Sequence, residues 1–501
     1  MNERKIGVIL SYFNIILQVL IGFIYVPILL KYLGQSEYGL YQLMGSIIAY
    51  FSIMDFGLTA STIRGYIKYK TNGEIKRTEN FLAITQRIYF FICVLVLIIG
   101  SIVYNYLDDM FANSLTTNEL LEAKNIFILL VFNIIITFLG MIYRSVIIAN
   151  EKFLFFKIVE ALQLIAQPIM VILIIQFSPT ALAMVIVITV LNVIITMIRV
   201  YYCYNRLNLK INYYNWDKDA ISEMKKLSVS VFVVAIIDQI FWKSNQIILG
   251  IISGVNAVAI YSIASLIYMN YMALSTAITG IYSPKIMKMV SENVNIKNLS
   301  KEFLRIGRLQ YYILALILSG FFVFGKEFIM IWCNYNFINA YYITLIIITP
   351  FTIDLIQNIA TIMMKAKNIY DFRAKIYFIV GIINICLSIP LAKIYGEIGC
   401  AVACGFSILV SNIIMNVYFK RVLKLDIILF WKQILEITLS VFVCIIIGIF
   451  LNYIFYESNI VIFIVKLILF SIIYFMIMWK LSFNYDERQL FSKLKNKIKV
   501  Y

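Results

Sequence analysis

Apolar runs long enough to cross a membrane recur along almost the whole chain. About fourteen runs of about 20 to 27 residues can be marked out, and each could cross a hydrocarbon core of about 30 Å as an α-helix. Within lipid the backbone must satisfy its own hydrogen bonds, which favours helices over loops or open sheets. The sequence therefore predicts an all-α polytopic membrane protein. With boundaries good to a few residues, the predicted spans are 6–30, 38–65, 81–104, 125–149, 154–176, 180–204, 227–252, 257–281, 303–324, 340–364, 376–395, 398–418, 433–454 and 460–482.

Lysine and arginine are distributed unevenly between the two sides of these spans. If the N-terminus lies inside and the spans alternate, the inward loops and helix ends hold all but six of the 43 basic residues. Cytoplasmic loops are enriched in Lys and Arg, and a wrong span count would exchange the sides of every later loop. We therefore expect a multi-pass protein of the bacterial inner membrane with cytoplasmic N- and C-termini. The six exceptions are Lys31, Lys124, Lys243, Lys326, Lys393 and Lys466.

Several functional classes are disfavoured by composition. A net charge of +17 would suggest nucleic acid as a partner in a soluble protein, but here the basic residues lie where anionic lipids attract them. The chain has no histidine, so it cannot build a histidine-based triad or an imidazole proton relay. The stretch Gly320–Lys326 resembles a phosphate-binding loop, but Glu327 stands where Ser or Thr is required. We expect no ATPase activity, no metal, no cofactor and no nucleic-acid partner.

The chain also looks duplicated, because unusual residues recur at an offset of 220 to 222 positions. Six spans in each copy would give both copies the same orientation in the membrane. The duplication predicts an N-terminal six-helix bundle (1–204), a cytoplasmic basic linker (205–226), a C-terminal six-helix bundle (227–418), and two accessory transmembrane helices with a cytoplasmic tail (419–501). The matching pairs are Arg64 with Lys285, Arg144 with Lys365, Arg199 with Lys420, Asn133 with Asp354, Thr137 with Asn358, Pro168 with Pro390, Gly34 with Gly254, and Tyr41 with Tyr261.

Three further expectations concern the connections between spans and the last two spans. Residues 105–124 form the longest predicted external loop, and Asp217 is a predicted N-cap for an amphipathic helix over 216–227 on the inner surface. The accessory helices carry few polar residues, as expected for a lipid-facing pair.

Polar residues form stripes on several predicted spans. Exposing such a stripe to lipid is costly, so it must face the bundle interior or water. The alternative to a substrate path is that these residues form hydrogen bonds between packed helices. The stripes are Ser11, Asn14, Gln18, Gly22 and Tyr25; Asn133, Thr137 and Arg144; Glu160, Gln163 and Gln167; Asp238, Gln239, Trp242, Lys243, Asn245 and Gln246; and Asp354, Gln357, Asn358 and Thr361.

Charged residues within spans are the main candidates for function. Lys243 and Asp238 lie well inside a span, where they could form an internal ion pair, bind substrate, or do both in turn. Arg64, Arg144 and Arg199 lie near inner helix ends, where they are either snorkelling flanks or a basic vestibule for a phosphate-bearing head group. Asp55 is either a partner of Arg64 or a coupling-ion site, and Asp354 is a second coupling or ion-pair candidate.

The N-terminal 60 or so residues resemble the signature of the bacterial polysaccharide flippases, carried by Lys5–Tyr12, Gly22–Pro27, Tyr32–Tyr41 and Met54–Leu58. This family belongs to the superfamily that also contains the multidrug and toxic-compound extruders and the lipid II flippases. The resemblance implies two parallel six-helix repeats plus two helices, in a V-shaped bundle with a central cationic cavity. One departure is Ser228–Phe232, where many relatives have a proline.

The resemblance implies translocation of undecaprenyl-diphosphate-linked repeat units for lipopolysaccharide O-antigen, capsule or exopolysaccharide, with membrane lipid and other assembly proteins as partners. The expected cavity residues are Lys243, Arg64, Arg144, Arg199, Gln18, Gln239, Gln246 and Asn358, with Asp55, Asp238 and Asp354 as coupling or ion-pair candidates. The alternatives are a cation-coupled multidrug extruder, a lipid II flippase, and a membrane glycosyltransferase or polymerase. For the enzyme, Asp108 and Asp109 are weak candidate carboxylates, and we expect no enzymatic activity.

Overall fold

The computed structural model of the chain describes residues 3–455, 459–485 and 487–489. The predicted cytoplasmic tail from Lys480 to Tyr501 falls largely outside these ranges. Within them the chain forms thirteen α-helices, two short 3₁₀ helices (Ser52–Asp55 and Tyr335–Phe337) and no strand. The α-helices are α1 (Glu3–Phe51), α2 (Leu58–Thr71), α3 (Ile75–Phe111), α4 (Thr117–Ala149), α5 (Phe153–Ile175), α6 (Ala181–Arg206), α7 (Lys218–Ser291), α8 (Ile296–Cys333), α9 (Asn339–Ile356), α10 (Asn358–Ala366), α11 (Asp371–Arg421), α12 (Ile427–Ile454) and α13 (Ile460–Leu481).

Three of the helical stretches are too long for one membrane crossing. Eleven stretches among the described residues are long and apolar enough to cross, and the longest are Phe13–Thr71, Val231–Ser291 and Asp371–Arg421, with 59, 61 and 51 residues. As straight helices they would exceed about 75 Å, more than twice the thickness of the hydrocarbon core. Each is broken at a glycine with positive φ, namely Gly34, Gly254 and Gly396, so each consists of at least two helical segments. The predicted all-α polytopic class is confirmed.

Two of these glycines have almost the same backbone conformation. Gly34 has φ 77° and ψ −178°, and Gly254, 220 positions later, has φ 79° and ψ −177°. A residue with a Cβ adopts positive φ only at a steric cost, so both positions favour glycine. The repeated break agrees with the offset found in the sequence.

Helix ends follow local capping chemistry. Thr116 and Glu119 form a capping box at the start of α4, and Asp217 accepts a hydrogen bond from the Ala220 amide (3.0 Å) at the start of α7. The predicted N-cap at Asp217 is therefore confirmed. The external loop predicted over residues 105–124 is wrong in length. Because α3 continues to Phe111 and α4 begins at Thr117, only residues 112–116 connect the two helices.

The chain divides into two compact units. The first contains the described residues up to Ser262 together with Ala392–Glu397, and the second contains Ile263–Leu391 and the described residues from Ile398 onward. The first part of α7 thus belongs with α1–α6. The domain boundaries expected from the duplication stay a prediction.

In the first unit, α1 and α2 run beside the first part of α7. Tyr50 and Ser244 share a hydrogen bond of 2.6 Å, and Ser61 and Ser228 share one of 3.1 Å. Near the break at Gly34, a Cβ on Gly39 would overlap the carbonyl oxygen of Val255, so the two backbones are in close contact. Glycine allows this approach because it has no side chain.

The linker after α6 is attached to the start of α3. Asn80 donates to the side chain of Asn215 (2.9 Å) and accepts from the Tyr214 amide (2.8 Å), and Arg77 forms an ion pair with Asp217 (2.9 Å). These contacts fix the chain between α6 and α7.

In the second unit, α8 packs against α9, α12 and α13. Aromatic contacts fill this core, with Phe303 against Phe430 and Phe324 against Phe470, and all four rings are buried. The predicted phosphate-binding-loop match from Gly320 to Lys326 lies inside the continuous helix α8 and forms no loop.

Candidate functional site

Two of the polar stripes line one pocket in the first unit. The stripe of α1 contributes Ser11, Asn14 and Gln18, and that of α5 contributes Glu160, Gln163 and Gln167. The pocket has a volume of about 350 Å³ and is completed by Ile15, Lys157 and Leu164. We call it the α1/α5 pocket. Its polar lining lies on helices whose other faces are apolar, so the amide and carboxylate groups are concentrated here.

Asn14 is the most deeply buried polar group of the α1/α5 pocket. The residue is 6% exposed, and its side-chain amide nitrogen donates to the carbonyl oxygen of Lys157 (3.1 Å). Its carbonyl oxygen Oδ1 is buried and has no hydrogen-bond partner among the described residues. A buried unpaired acceptor costs about 1–3 kcal/mol.

A basic cluster adjoins the α1/α5 pocket through Glu160. Lys157 forms an ion pair with Glu160 (2.7 Å), and Arg144 of α4 approaches the same carboxylate at 3.8 Å. The guanidinium groups of Arg144 and Arg199 of α6 lie over the ring of Phe156, at 5.4 and 6.0 Å from its centroid. Such cation–π contacts are stronger where water is excluded.

The basic cluster carries excess positive charge. Three cations, Lys157, Arg144 and Arg199, accompany the single carboxylate of Glu160, and the Nε–H groups of both arginines are buried without a hydrogen-bond partner among the described residues. Guanidinium groups bind phosphate oxygens through paired N–H donors. The cluster is therefore chemically suited to an anion such as a phosphate or diphosphate.

The predicted polar face of α7 separates into bonded and unbonded groups. Asn245 donates to the hydroxyl of Tyr261 (2.9 Å), and Gln246 donates to Ser262 (3.0 Å). The carbonyl oxygens of Gln239 and Gln246 are buried and have no hydrogen-bond partner in the described chain.

Lys243 and Asp238 differ in exposure. Lys243 is half-buried and forms no ion pair with any described residue, and Asp238 is exposed. The predicted option of an Asp238–Lys243 ion pair is therefore not seen among the described residues.

Asp55 and Arg64 do not pair either. Asp55 accepts hydrogen bonds from Thr59 (2.9 Å) and Tyr89 (2.8 Å), and Arg64 is exposed on α2. The predicted option of an Asp55–Arg64 ion pair is therefore not seen, and Asp55 binds two hydroxyl groups instead. The helix is interrupted between the two residues by the break at Phe56 and Gly57.

In the second unit the polar stripe before and after Gln357 bonds internally. Asp354 forms a buried ion pair with Arg373 (3.0 Å) and accepts from Tyr377 (2.7 Å), and Gln357 donates to Asn416 (2.8 Å). Asn358 is half-buried. Asp354 is thus an ion-pair residue in this structure.

Another stripe makes the interhelical hydrogen bonds that the sequence left as an alternative. Asn192 of α6 donates to Asn133 (3.0 Å) and Thr137 (2.8 Å) of α4. These bonds join α4 to α6.

Two further buried ion pairs anchor the accessory helices. Lys466 of α13 pairs with Glu327 of α8 (2.9 Å), and Arg308 of α8 pairs with Glu487 (2.8 Å). Many apolar side chains of α12 and α13 are exposed, in agreement with the expected lipid-facing pair, and α13 in addition buries Lys466 against α8. Sequence reasoning missed these partners, since they are 139 and 179 positions apart.

Sequence reasoning also missed Lys157 of α5 as a site residue, although its spacing three residues before Glu160 on one helix face was a usable signal.

Asp108 and Asp109, the weak candidates for an enzyme, lie on the last turn of α3. Asp108 forms an ion pair with Lys124 and Asp109 is exposed. No arrangement of catalytic carboxylates is apparent among the described residues at this end of α3.

The described residues thus form a many-spanning helical membrane protein that holds amides and a half-buried basic cluster among its spans. The sequence model of the polysaccharide biosynthesis protein family matches residues 5–290, more than half of the chain. The chain therefore belongs to the polysaccharide biosynthesis protein family. A comparison with curated protein sequences found no significant match.

Solved structures of transporters share the fold. The lipid II flippase MurJ, in an inward closed conformation, has a TM-score of 0.71 at 16% identity, covering 94% of this chain and 99% of that one. An inward-facing multidrug resistance MATE family transporter of the MOP superfamily has a TM-score of 0.62 at 12% identity, covering 83% and 96%. A MOP superfamily transporter from Pyrococcus furiosus has a TM-score of 0.56 at 10% identity, covering 85% and 96%. At these identities the similarity concerns the fold.

Proposed function

We propose that this chain is a flippase for undecaprenyl-diphosphate-linked oligosaccharide repeat units. It would move them from the cytoplasmic to the outer leaflet of the bacterial inner membrane by alternating access, as a non-enzymatic step of polysaccharide assembly. Membership of the polysaccharide biosynthesis family and a fold shared with a lipid II flippase support a lipid-linked substrate.

The observation that carries the proposal is the basic cluster of Arg144, Arg199 and Lys157. Its only nearby carboxylate among the described residues is Glu160, so a bound diphosphate would balance the excess charge and accept from the unpaired Nε–H groups. By the predicted topology the cluster lies near the cytoplasmic ends of α4 and α6, where the substrate is made. Lys243, Gln239 and Gln246 are further substrate contacts in this proposal.

The main alternative is a cation-coupled drug extruder, which would need a membrane carboxylate available to a cation. Asp354 is neutralised by Arg373, and Asp55 is bound by two hydroxyls. A basic cluster also disfavours cationic drugs. These features favour the flippase.

The test is deletion of the gene followed by analysis of lipid-linked sugars. We expect an undecaprenyl-linked oligosaccharide to accumulate in the cytoplasmic leaflet, with rescue by the wild-type chain and not by an Arg144→Ala/Arg199→Ala double variant of equal abundance. Sensitivity to cationic drugs should not change. Normal lipid-linked sugar levels, or a gain in drug sensitivity alone, would refute the proposal.

A further inference from the structure

The amides of the α1/α5 pocket differ from the other intramembrane amides of the chain. Between α4 and α6, Asn133 and Asn192 bond directly to each other. In the α1/α5 pocket, Gln18, Gln163 and Gln167 form no hydrogen bond with any described residue. Amides that only hold helices together pair with one another. The amides of this pocket are instead available to a ligand.

Asn14 shows which kind of hydrogen bond the ligand must make. Asn14 lines the pocket and is 6% exposed, and since its Nδ2 donates to the Lys157 carbonyl oxygen, its Oδ1 is left as an acceptor with no partner among the described residues. The ligand must therefore bring an O–H or N–H donor to this point. Phosphate oxygens and acyl chains supply no such donor at neutral pH.

The spacing of the amides suits a ring that carries hydroxyls on opposite edges. Asn14 and Gln18 are one helical turn apart on α1, and Gln163 and Gln167 are one turn apart on α5, which separates each pair by about 6 Å along its helix. Amides both donate and accept, as sugar hydroxyls do. At about 350 Å³ the pocket lies at the small end of the range of about 300–1,000 Å³ for ligand sites.

The charges at the α1/α5 pocket compensate each other. Lys157 and Glu160 form an ion pair at 2.7 Å, and both line the pocket. The excess positive charge lies beyond Glu160, on Arg144 and Arg199. An uncharged sugar ring in the pocket would leave Arg144 and Arg199 free to bind a phosphate. A sugar with a carboxylate would instead bring a second negative charge close to Glu160 and be repelled.

We propose that the α1/α5 pocket is a carbohydrate subsite that binds one uncharged hexose or N-acetylhexosamine unit, with Asn14 Oδ1 accepting from a sugar hydroxyl or acetamido N–H. The proposal rests on the proposed flippase function for its physiological ligand. The subsite lies within the first unit, so the same unit would hold the diphosphate and the sugar beside it.

The test measures protection of a cysteine placed in the pocket. Leu164→Cys, at an apolar lining position of the pocket, is made in the full chain and purified in detergent. It is labelled with a small methanethiosulfonate reagent, and mass spectrometry follows only the peptide that carries position 164. The seven native cysteines can then remain. The matched control is Gln176→Cys, at the exposed C-terminal end of the same helix and outside the pocket.

A weak site with a Kd of about 10 mM would slow labelling at position 164 about sixfold in about 50 mM sugar. We expect glucose or N-acetylglucosamine to slow labelling to this extent. Glycerol and glucuronic acid should slow it less. Labelling at position 176 should not change. Adding Asn14→Leu should remove the protection, while size-exclusion chromatography confirms that the variant remains folded.

Equal labelling rates with and without both neutral sugars would overturn the subsite, as would equal protection at positions 164 and 176 or by glucuronic acid. This outcome is separable from failure of the flippase proposal. If lipid-linked sugar accumulates on deletion but no protection is seen, only the subsite fails. If protection is seen without accumulation, the pocket binds sugar and the flippase proposal fails.

Discussion

Arg144 and Arg199, from two different helices, place their guanidinium groups over the same aromatic ring, that of Phe156. The two positive charges repel each other, and among the described residues only Glu160 opposes them nearby. Holding two cations together is unfavourable unless an anion joins them. The diphosphate of the proposed substrate would supply such an anion.

The first prediction concerns Arg199. Hydrogen bonds to charged groups contribute about 1.5–3 kcal/mol, so Arg199→Ala should reduce export about 10- to 100-fold. Arg199→Lys should retain part of the export, because lysine keeps the positive charge but lacks the paired N–H donors. Export is measured as surface polysaccharide at equal protein abundance. Arg206→Ala, an exposed arginine at the end of the same helix, is the control. Wild-type export by Arg199→Ala would contradict a role in binding.

The second prediction contrasts two intramembrane lysines. Lys466 pairs with Glu327, so Lys466→Met should destabilise the protein by about 3–5 kcal/mol by leaving a buried carboxylate unpaired. Lys243 forms no ion pair in the described chain, so Lys243→Met should leave thermal stability in detergent equal to or above that of the wild type.

Although we expect loss of Lys243 to leave stability unchanged, we expect it to impair export. Lys243→Ala should abolish export, and Lys243→Arg should keep part of it. If export returned in the Lys243→Ala/Asp238→Ala double variant, Lys243 would be a charge partner of Asp238 and not a substrate contact. A lower melting temperature for Lys243→Met than for the wild type would also contradict the absence of an ion pair at Lys243.

The third prediction tests the close approach of α1 and α7. Gly39→Ala would place a Cβ against the carbonyl oxygen of Val255, and forcing the backbones apart should cost about 1–3 kcal/mol. Gly45→Ala, on the same helix with no atom near its Cβ position, should be neutral or stabilising. Thermal unfolding in detergent measures both. Equal melting temperatures for the two variants would show that the contact does not constrain the fold.

The fourth prediction concerns topology. With single cysteines in a cysteine-free background, Asn113→Cys in the short connection after α3 should react with a membrane-impermeant reagent from outside. Asn212→Cys, in the linker after α6, should react only from inside. Both positions are exposed. The opposite pattern would reverse the orientation derived from the basic residues.

The fifth prediction concerns pH. Burial opposes ionisation of Asp217, but the Ala220 amide and the Arg77 guanidinium outweigh it and hold the pKa of this carboxyl below its usual range. A lowered pKa in the native state contributes stability above the unfolded value, and the contribution is lost as pH falls through the folded value. Protease cleavage of the linker should therefore increase below about pH 4.

Asp217→Asn provides the control, because asparagine can still cap α7 but cannot pair with Arg77. It should show faster linker cleavage already at pH 7, with little further change on acidification. If both proteins responded equally to acid, the Asp217–Arg77 pair would not secure the linker.

The sequence by itself determined the helical class, the multi-pass membrane character and several helix ends. Hydrophobic run length, the distribution of Lys and Arg, and capping residues such as Asp217 act within a few neighbouring positions, so they can be identified without knowledge of the fold. Helical periodicity also placed Asn14 and Gln18 on one face and Gln163 and Gln167 on another. It could not show whether a stripe pairs with another helix or lines a pocket.

Only the tertiary structure decided the partners. It joined the stripes of α1 and α5 in one pocket, brought Arg144 and Arg199 to Phe156, and paired Lys466 with Glu327 across 139 positions. The physical reason is that every polar stripe in a membrane must avoid lipid, and many interior neighbours satisfy that requirement equally well. Which neighbour a stripe meets depends on how distant helices pack, and local sequence carries no record of that choice.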